Sequence, residues 1–358
     1  MPTPPISFNI QDAEATIRAV KATHSQATVS PRVWNSIETS HPAIEKPICS
    51  EKYLFADFHA SKFGGGVGNF MFEWISFIGI ANVSSRHPAL HLQNSMVEIM
   101  LKWQKSFPNI FLPITIKSMR NEVTVDIPYQ GCCKYTDVGP IFSKVAADVN
   151  VFVRLVYMQS FYYFRHLGRE EVRRLVAFHP NDFNLAKTQM VAAKFNLDSS
   201  HNVCVHVRRG DFVKSTLHQH STEEFTTAAI RFGVDYARQN TNLTVAAVLL
   251  GNDLSWEKDI VKSVVGVDYA IHVAAQHKDW VPHIDWVFSQ LYCDTVVLTA
   301  ASSTYGWWLA YLARGSTVLY NGQFSKKDGV EKELDPVQFW PEDWRRIRQN
   351  GTEIYLDL

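Results

Sequence analysis

The chain has 358 residues, 46% hydrophobic and 20% charged, a globular balance that excludes a disordered or fibrous protein. Lysine plus arginine number 35, as do aspartate plus glutamate, so no basic excess supports a nucleic-acid groove or an anionic membrane partner. Ten tryptophans and 22 phenylalanines imply a large aromatic core, with a flat platform for a sugar as the other use of such rings.

The length predicts two domains. Residues 1–48 read as a peripheral segment or stem. MPTPPISFNI has neither the basic start nor the apolar core of a signal peptide. An N-terminal domain is expected over 49–190. It opens with the strand YLFADF, a glycine loop at 64–66 and a helix from Asn69 to about Ala81. Strand, glycine loop and helix form the opening unit of an α/β domain. MVEIMLKWQKSF, VNVFVRLVYMQSFYYFRH and REEVRRLVAF all read as helical, and HPNDF marks a break near the domain crossover.

A second domain is expected over 191–330, and its pattern is clearer. HNVCVHV is a short apolar strand of the kind buried in parallel sheets, followed by the loop RRGDF. Ser221 caps the next predicted helix, with Glu224 three residues on. LTVAAVLLGND, DTVVLTA and GSTVLYN are further strands, separated by helices. The uncharged run Thr295–Ala313 is interrupted by Ser302, Ser303, Thr304 and Gly306, so it reads as strand, loop and helix rather than a membrane span. The expectation is a soluble chain, with an upstream anchor left open. Repeated strand–loop–helix units predict a doubly wound sheet, whose ligands bind at the carboxyl ends of strands. Residues 331–358 are expected to pack back on the domains.

The loops RRGD, GND and SST are therefore where chemistry is expected. His206 and Arg208 at the end of a buried strand are costly unless an anion binds there. Arg208 suits a diphosphate, because guanidinium is a planar bidentate fork. Asp211 could tether an arginine or serve catalysis; an internal Arg–Asp pair beside a core histidine is the competing structural reading. Asp253 either caps the following helix or touches a nucleoside. Ser302, Ser303 and Thr304 precede a helix, so they either bind phosphate or cap. The glycine loop before Asn69 lacks the dinucleotide and phosphate-loop patterns. Its glycines would allow a tight turn or close approach to a ligand. No DxD, HExxH or GxSxG occurs, which favours a metal-free site using arginine and amide dipoles.

Five cysteines, Cys49, Cys132, Cys133, Cys204 and Cys293, include no CxxC, and an odd count leaves at least one thiol without a partner in the chain. Cys132 and Cys133 are each candidates to bridge to a distant cysteine, with free cytoplasmic thiols as the alternative. Three sequons stand at Asn82, Asn242 and Asn350.

FGGGVGNFMFEWISFIGIA, VCVHVRRGDFV, VAAVLLGNDLSWEKDIV and VVLTASSTYGWWLAYLARGSTVLY follow one another between Phe63 and Tyr320. In this order they resemble the motifs of the galactoside α-1,2-fucosyltransferases, an inverting family that uses GDP-fucose. The α-1,6- and protein O-fucosyltransferases share a looser arginine motif. The resemblance implies a GT-B-like fold, two Rossmann-like domains facing across a cleft, and the transfer of fucose to O2 of a galactose in a glycan. It implies that Arg208 binds the β-phosphate and that His206, Arg209, Asp253, Ser302, Ser303 and Thr304 belong to the donor site. Gly65, Gly66, Gly68 and Asn69 would shape the N-terminal edge of the cleft. Arg208 and Asp211 are the catalytic candidates. No cofactor or metal is expected beyond GDP-fucose as donor substrate. A galactose-containing acceptor is the expected partner, with a homodimer left open. A Golgi-luminal location follows for an animal member, a soluble one for a bacterial member. Val67 and Phe70 depart from the commoner leucine and glutamine. An inactive, glycan-binding homologue is the non-enzymatic alternative.

Overall fold

The computed structural model describes residues 52–59, 65–91, 96–110, 114–115, 122–192, 196–264, 269–274, 283–324 and 329–357. Residues 1–48, with their expected short helix, lie outside these, as does Cys49. Ser50–Leu358 form one compact unit.

The first part of this unit holds strands β1 (Tyr53–Phe58), β2 (His87–His91), β3 (Ile114–Thr115), β4 (Glu122–Val125) and β5 (Asn150–Leu155). They form a parallel sheet in the order β3-β2-β1-β5-β4. Helix α1 (Val67–Val83) follows β1, with α2 (Met96–Gln104) and α3 (Gly139–Phe142) later. α1 is buried around nearly its whole circumference, from Val67 to Ala81, as an apolar helix between layers must be. β5 corrects the helical reading of VNVFVRLV. Leu54 of β1 pairs with its Val151 and Phe58 with its Leu155. Val151, Val153 and Leu155 are buried while Asn150, Phe152 and Arg154 are more open, the two-residue period of a strand, and the apolar residues that follow extend the run into a helical reading.

Helices α4 (Arg169–Leu175) and α5 (Pro180–Ala192) lead to the second sheet. Its elements run β6 (His201–Val207), α6 (Gly210–Lys214), α7 (Glu223–Arg238), β7 (Val245–Gly251), α8 (Leu254–Ser263), β8 (Ala270–Val273), α9 (Ile284–Tyr292), β9 (Thr295–Leu298), α10 (Thr304–Leu312) and β10 (Thr317–Asn321). After α11 (Pro336–Phe339), the hairpin β11 (Arg345–Asn350) and β12 (Glu353–Leu356) completes it. The order is β12-β11-β10-β9-β6-β7-β8, parallel except for β11 against β12. Val203 of the central β6 pairs with Ala247 on one side and Thr295 on the other. Two Rossmann-like sheets in this arrangement make the fold GT-B-like.

Each sheet has a switch point, where successive units depart to opposite sides: between β1 and β5 in the first, between β6 and β9 in the second. Such a switch opens a crevice at the carboxyl ends of the strands.

The two sheets are joined by aromatic packing. Phe72 and Phe164 meet Trp307 and Trp308 of α10, with ring centroids 4.7–6.0 Å apart, and all four side chains are fully buried. Each such pair adds about 0.5–1.5 kcal/mol beyond burial. Arg169 of α4 donates to the carbonyls of Tyr311, Ala313 and Gly315, satisfying orphan acceptors at the end of α10.

Two disulfides are present among the described residues. Cys204 of β6 bonds Cys293 after α9, both fully buried. Cys132 bonds its neighbour Cys133, which corrects the expectation of a distant partner for either. No described helix is long and apolar enough to cross a membrane; Thr295–Ala313 divides into β9, a loop and α10. Asn82, Asn242 and Asn350 are all exposed.

Candidate active site

One cleft of about 900 Å³ is lined by residues from both switch points. Gly66, Gly68 and Asn69 follow β1, and Tyr157 and Gln159 follow β5. His206, Arg208 and Asp211 lie at and beyond the end of β6. Ser302, Ser303, Thr304 and Tyr305 follow β9. The volume lies at the upper end for a ligand pocket of ~300–1,000 Å³.

Arg208 leaves β6 with its backbone fixed. Its N–H donates to Ser221 Oγ at 2.9 Å, and Ser221 Oγ lies 2.6 Å from Thr299 Oγ1 at the end of β9. Ser221 is thus a buried brace across the switch point, while Thr222 caps α7 by accepting the Phe225 N–H. The expectation of Ser221 as the cap is corrected by one residue. The Arg208 guanidinium lies over the Phe212 ring at 5.1 Å, and its Nη2 reaches Asp211 Oδ1 at 2.8 Å. Arg208 Nε is buried with no hydrogen-bond partner among the described residues. A buried charged donor of this kind is costly unless a ligand accepts from it.

Asp211 is 64% exposed at its side chain, and its carboxylate is engaged by Arg208. His206 is buried, and burial, reinforced by the Arg208 charge, holds its imidazole down at about 3. It is therefore neutral at ordinary pH and can orient a ligand but not neutralise a phosphate. Its ring packs against Gly306: a Cβ there would stand 2.5 Å from Nδ1. His218, which the sequence reading passed over, stacks on Phe212 at 4.4 Å, and its Nδ1 lies 3.1 Å from Ser302 Oγ.

The serine–threonine loop divides its labour. Ser303 caps α10 by accepting the Gly306 N–H, and Ser302 faces the cleft beside His218. Thr304 Oγ1 donates to Asn69 Oδ1 at 2.6 Å. Trp308 Nε1 donates to Gly68 O at 3.1 Å. A Cβ on Gly68 would come within 2.6 Å of Tyr305 N and 2.7 Å of Thr304 C. The Gly68–Asn69 pair therefore lets α1 and α10 touch backbone to backbone. Gly66 has open space around it, and Gly65 is half-buried before α1.

Two expected donor residues lie elsewhere. Arg209 Nε donates to Asp253 Oδ2 at 3.2 Å, and its guanidinium stacks 4.3 Å over Trp256. Asp253 also caps α8 through the Trp256 N–H. Neither lines the cleft. The strand-end position is right for both, but their charges satisfy each other. Asn252 of the same loop does line the cleft and accepts the Arg209 N–H.

Also on the cleft wall, Tyr305 donates its hydroxyl to Asp285 Oδ2 at 2.7 Å; burial, and then that carboxylate, push the phenol well above its ordinary range. Glu257 on α8 is pushed up to about 7, chiefly by burial. No group of three or more His, Cys, Asp or Glu placed to hold a metal occurs among the described residues.

An arginine and a capped helix start at one sheet's switch point, facing loops of a second sheet, make the architecture of a nucleotide-sugar glycosyltransferase. Residues 145–342 match the family model for glycosyl transferase family 11. A galactoside 2-alpha-L-fucosyltransferase of Caenorhabditis elegans is 33% identical over 335 residues, 87% of this chain and 80% of that protein. A second from the same organism is 27% identical, covering 91% of this chain and 90% of its own length. Likeness to solved structures is slighter: a NodZ alpha-1,6-fucosyltransferase co-crystallised with GDP has a TM-score of 0.47 at 12% identity, covering 86% of this chain and 98% of that one. The chain belongs to glycosyl transferase family 11, the family whose motifs it carries, and is a glycosyltransferase.

Proposed function

We propose that the protein transfers L-fucose from GDP-fucose to O2 of a galactose in a glycan, with inversion. Its membership of family 11 and its 33% identity to a galactoside 2-alpha-L-fucosyltransferase support the donor and the acceptor class. The observation that carries the site assignment is Arg208, whose buried Nε has no partner among the described residues at the mouth of the β6–β9 switch. GDP would lie along the second sheet, its diphosphate on Arg208 and near Ser302 and the start of α10. The first-sheet layer would receive the acceptor.

In this reading galactose O2 attacks fucose C1 from the face opposite GDP. The C1–O2 bond forms, the bond from C1 to the phosphate oxygen breaks, and GDP leaves with the electron pair. A β-linked donor thus gives an α-linked product. Arg208 stabilises the charge that develops on the leaving diphosphate, as preorganised donors do in a site that excludes water. His206, held neutral, orients without adding charge. The hydroxyl proton needs an acceptor within reach of the same strand end, and Asp211 is the candidate. Its ion pair with Arg208 supports an orienting role beside, or in place of, that one. Two disulfides and three exposed sequons support an oxidising, luminal setting.

Two measurements test the reading: calorimetry with GDP, UDP and ADP, and turnover of GDP-fucose over a panel of galactosides with the product linkage read by NMR. Tighter GDP binding and an α-1,2 product are expected. Equal affinity for all three nucleotides overturns the donor assignment. Glycan binding without turnover makes the protein a lectin.

A further inference from the structure

Arg208 and the Ser302 loop account for one part of the cleft. A second part has a different chemistry and no assigned role. Tyr129, Cys132, Cys133, Tyr157, Gln159 and Glu333 line it. No cation is among them, and Glu333 is their one carboxylate.

This wall is built to hold its shape. The Tyr129 hydroxyl donates to Glu333 Oε2 at 2.8 Å, and the same oxygen accepts the Cys132 N–H at 3.3 Å. Burial and the Glu333 charge push the Tyr129 phenol up, so it remains a donor. The Cys133 N–H donates to Glu333 O at 3.1 Å, and Cys133 pairs with Leu334 as an isolated parallel bridge. Gly131, at φ +131°, is where any side chain would stand 2.8 Å from Glu333 Cα and O. The Cys132–Cys133 bond closes the turn.

Behind it, Tyr157 and Met158 have φ of +63° and +44°, a left-handed pair without glycine. Such conformations are costly and persist where surrounding structure enforces them, often at ligand sites. Here buried Glu73 of α1 accepts the Tyr157 N–H at 3.0 Å, and Ser76 donates to Met158 O at 2.8 Å. The next residue, Gln159, donates its N–H to Cys132 O at 2.9 Å. The strain therefore presents Tyr157 and Gln159 on the same wall as Tyr129 and Glu333.

A carboxylate, an amide and phenolic rings suit a neutral polyol. Glu333 can accept from sugar hydroxyls, and the rings can pack against the C–H face of a pyranose. Among the described residues of this wall, no cation would offset the Glu333 charge against a phosphate.

We propose that this wall is the acceptor subsite, which takes a neutral hexopyranose of the glycan with Glu333 accepting from its hydroxyls and Tyr129 as the ring platform. The assignment rests on the fucosyl-transfer reading and gives that reaction its specificity residues. Tyr129 is 51% exposed, so Tyr129→Ala is compatible with folding; Glu333→Gln keeps the shape and removes the charge.

The test is steady-state kinetics of the full chain with donor and acceptor varied separately, together with calorimetric GDP affinity. Each variant is expected to raise acceptor KM at least ~10-fold, the scale of a lost hydrogen bond to a charged group. Donor KM and GDP affinity should stay within about twofold, which also shows that the fold is retained. Acceptor KM unchanged in both variants overturns the subsite and leaves the reaction standing, as does an equal loss of donor affinity. A wild-type chain that binds GDP no better than UDP overturns the donor reading and the subsite with it.

Discussion

The two sheets solve the same topological problem and put different chemistry at the solution. Each has a switch point opening on the one cleft. At the β6–β9 switch stand a cation, a capped helix start and hydroxyls, the equipment for an anion. At the β1–β5 switch stand glycines, Asn69, Gln159 and the left-handed Tyr157, none of them charged. A strand-end crevice is thus a place, and its side chains decide which substrate occupies it. The first sheet also contributes through contact: Gly68 and Asn69 seat directly on Thr304, so its opening helix supports the loop that the second sheet presents.

Removing Arg208 should break the contrast most. Arg208→Ala is expected to lower kcat/KM by at least ~100-fold, the effect of losing one preorganised donor to developing charge. Arg208→Lys should not restore it, because a point charge does not reproduce a planar fork. Near-normal activity in Arg208→Ala would remove the donor from the second sheet.

Asp211→Asn comes next and sharpens the role of the partner carboxylate. Because Asp211 holds Arg208 at 2.8 Å but is largely exposed, GDP affinity should weaken about fivefold, the ~1 kcal/mol of a screened pair. Unchanged GDP affinity with a ~100-fold loss of turnover would instead mark it as the proton acceptor.

Gly68→Val tests whether the two switch points are mechanically joined. The added side chain has backbone atoms in its way, so overpacking should cost ~1–3 kcal/mol. A several-degree fall in Tm with a matching loss of donor affinity is expected; an unchanged Tm would mean that α1 and α10 are not in tight contact.

Glu257→Gln probes the buried acid of the second sheet. The folded chain holds this proton up to about pH 7, whereas the unfolded one releases it near 4.5. Stability from the group is therefore present below pH 4.5, falls as pH rises towards 7 and stays lower above. The variant should be more stable at pH 8, by ~1–2 kcal/mol, and little changed at pH 4. Urea titrations at both pH values check this, and equal changes at both would refute the buried proton.

The smallest effect is a null one: activity should survive EDTA, because an arginine and helix amides supply the positive field. Strict dependence on added manganese would point to a metal-bridged diphosphate instead.

What could be read from the sequence alone is local. HNVCVHV followed by RRGD, and VVLTASST followed by an aromatic helix, announce strand, loop and cap through neighbours a few residues apart. That Arg208, Ser302, Ser303 and Asn69 share one cleft follows from the resemblance of the motifs to the fucosyltransferase family, not from spacing alone. β5 could not be read as a strand, because its two-residue period, with Val151, Val153 and Leu155 buried, spans only six residues and runs on into the apolar VYMQSFYYF. Nor could the pairing of Arg209 with Asp253, 44 positions apart, which spends on structure two charges that looked available to the nucleotide. The Glu333 wall was hidden for the same reason: Tyr129 and Glu333 are 204 positions apart and no local signal joins them. Gly68 carries both lessons. Its place at a helix start is visible in the chain, but the backbone of Tyr305 that forbids a side chain there arrives only when the two sheets close on each other.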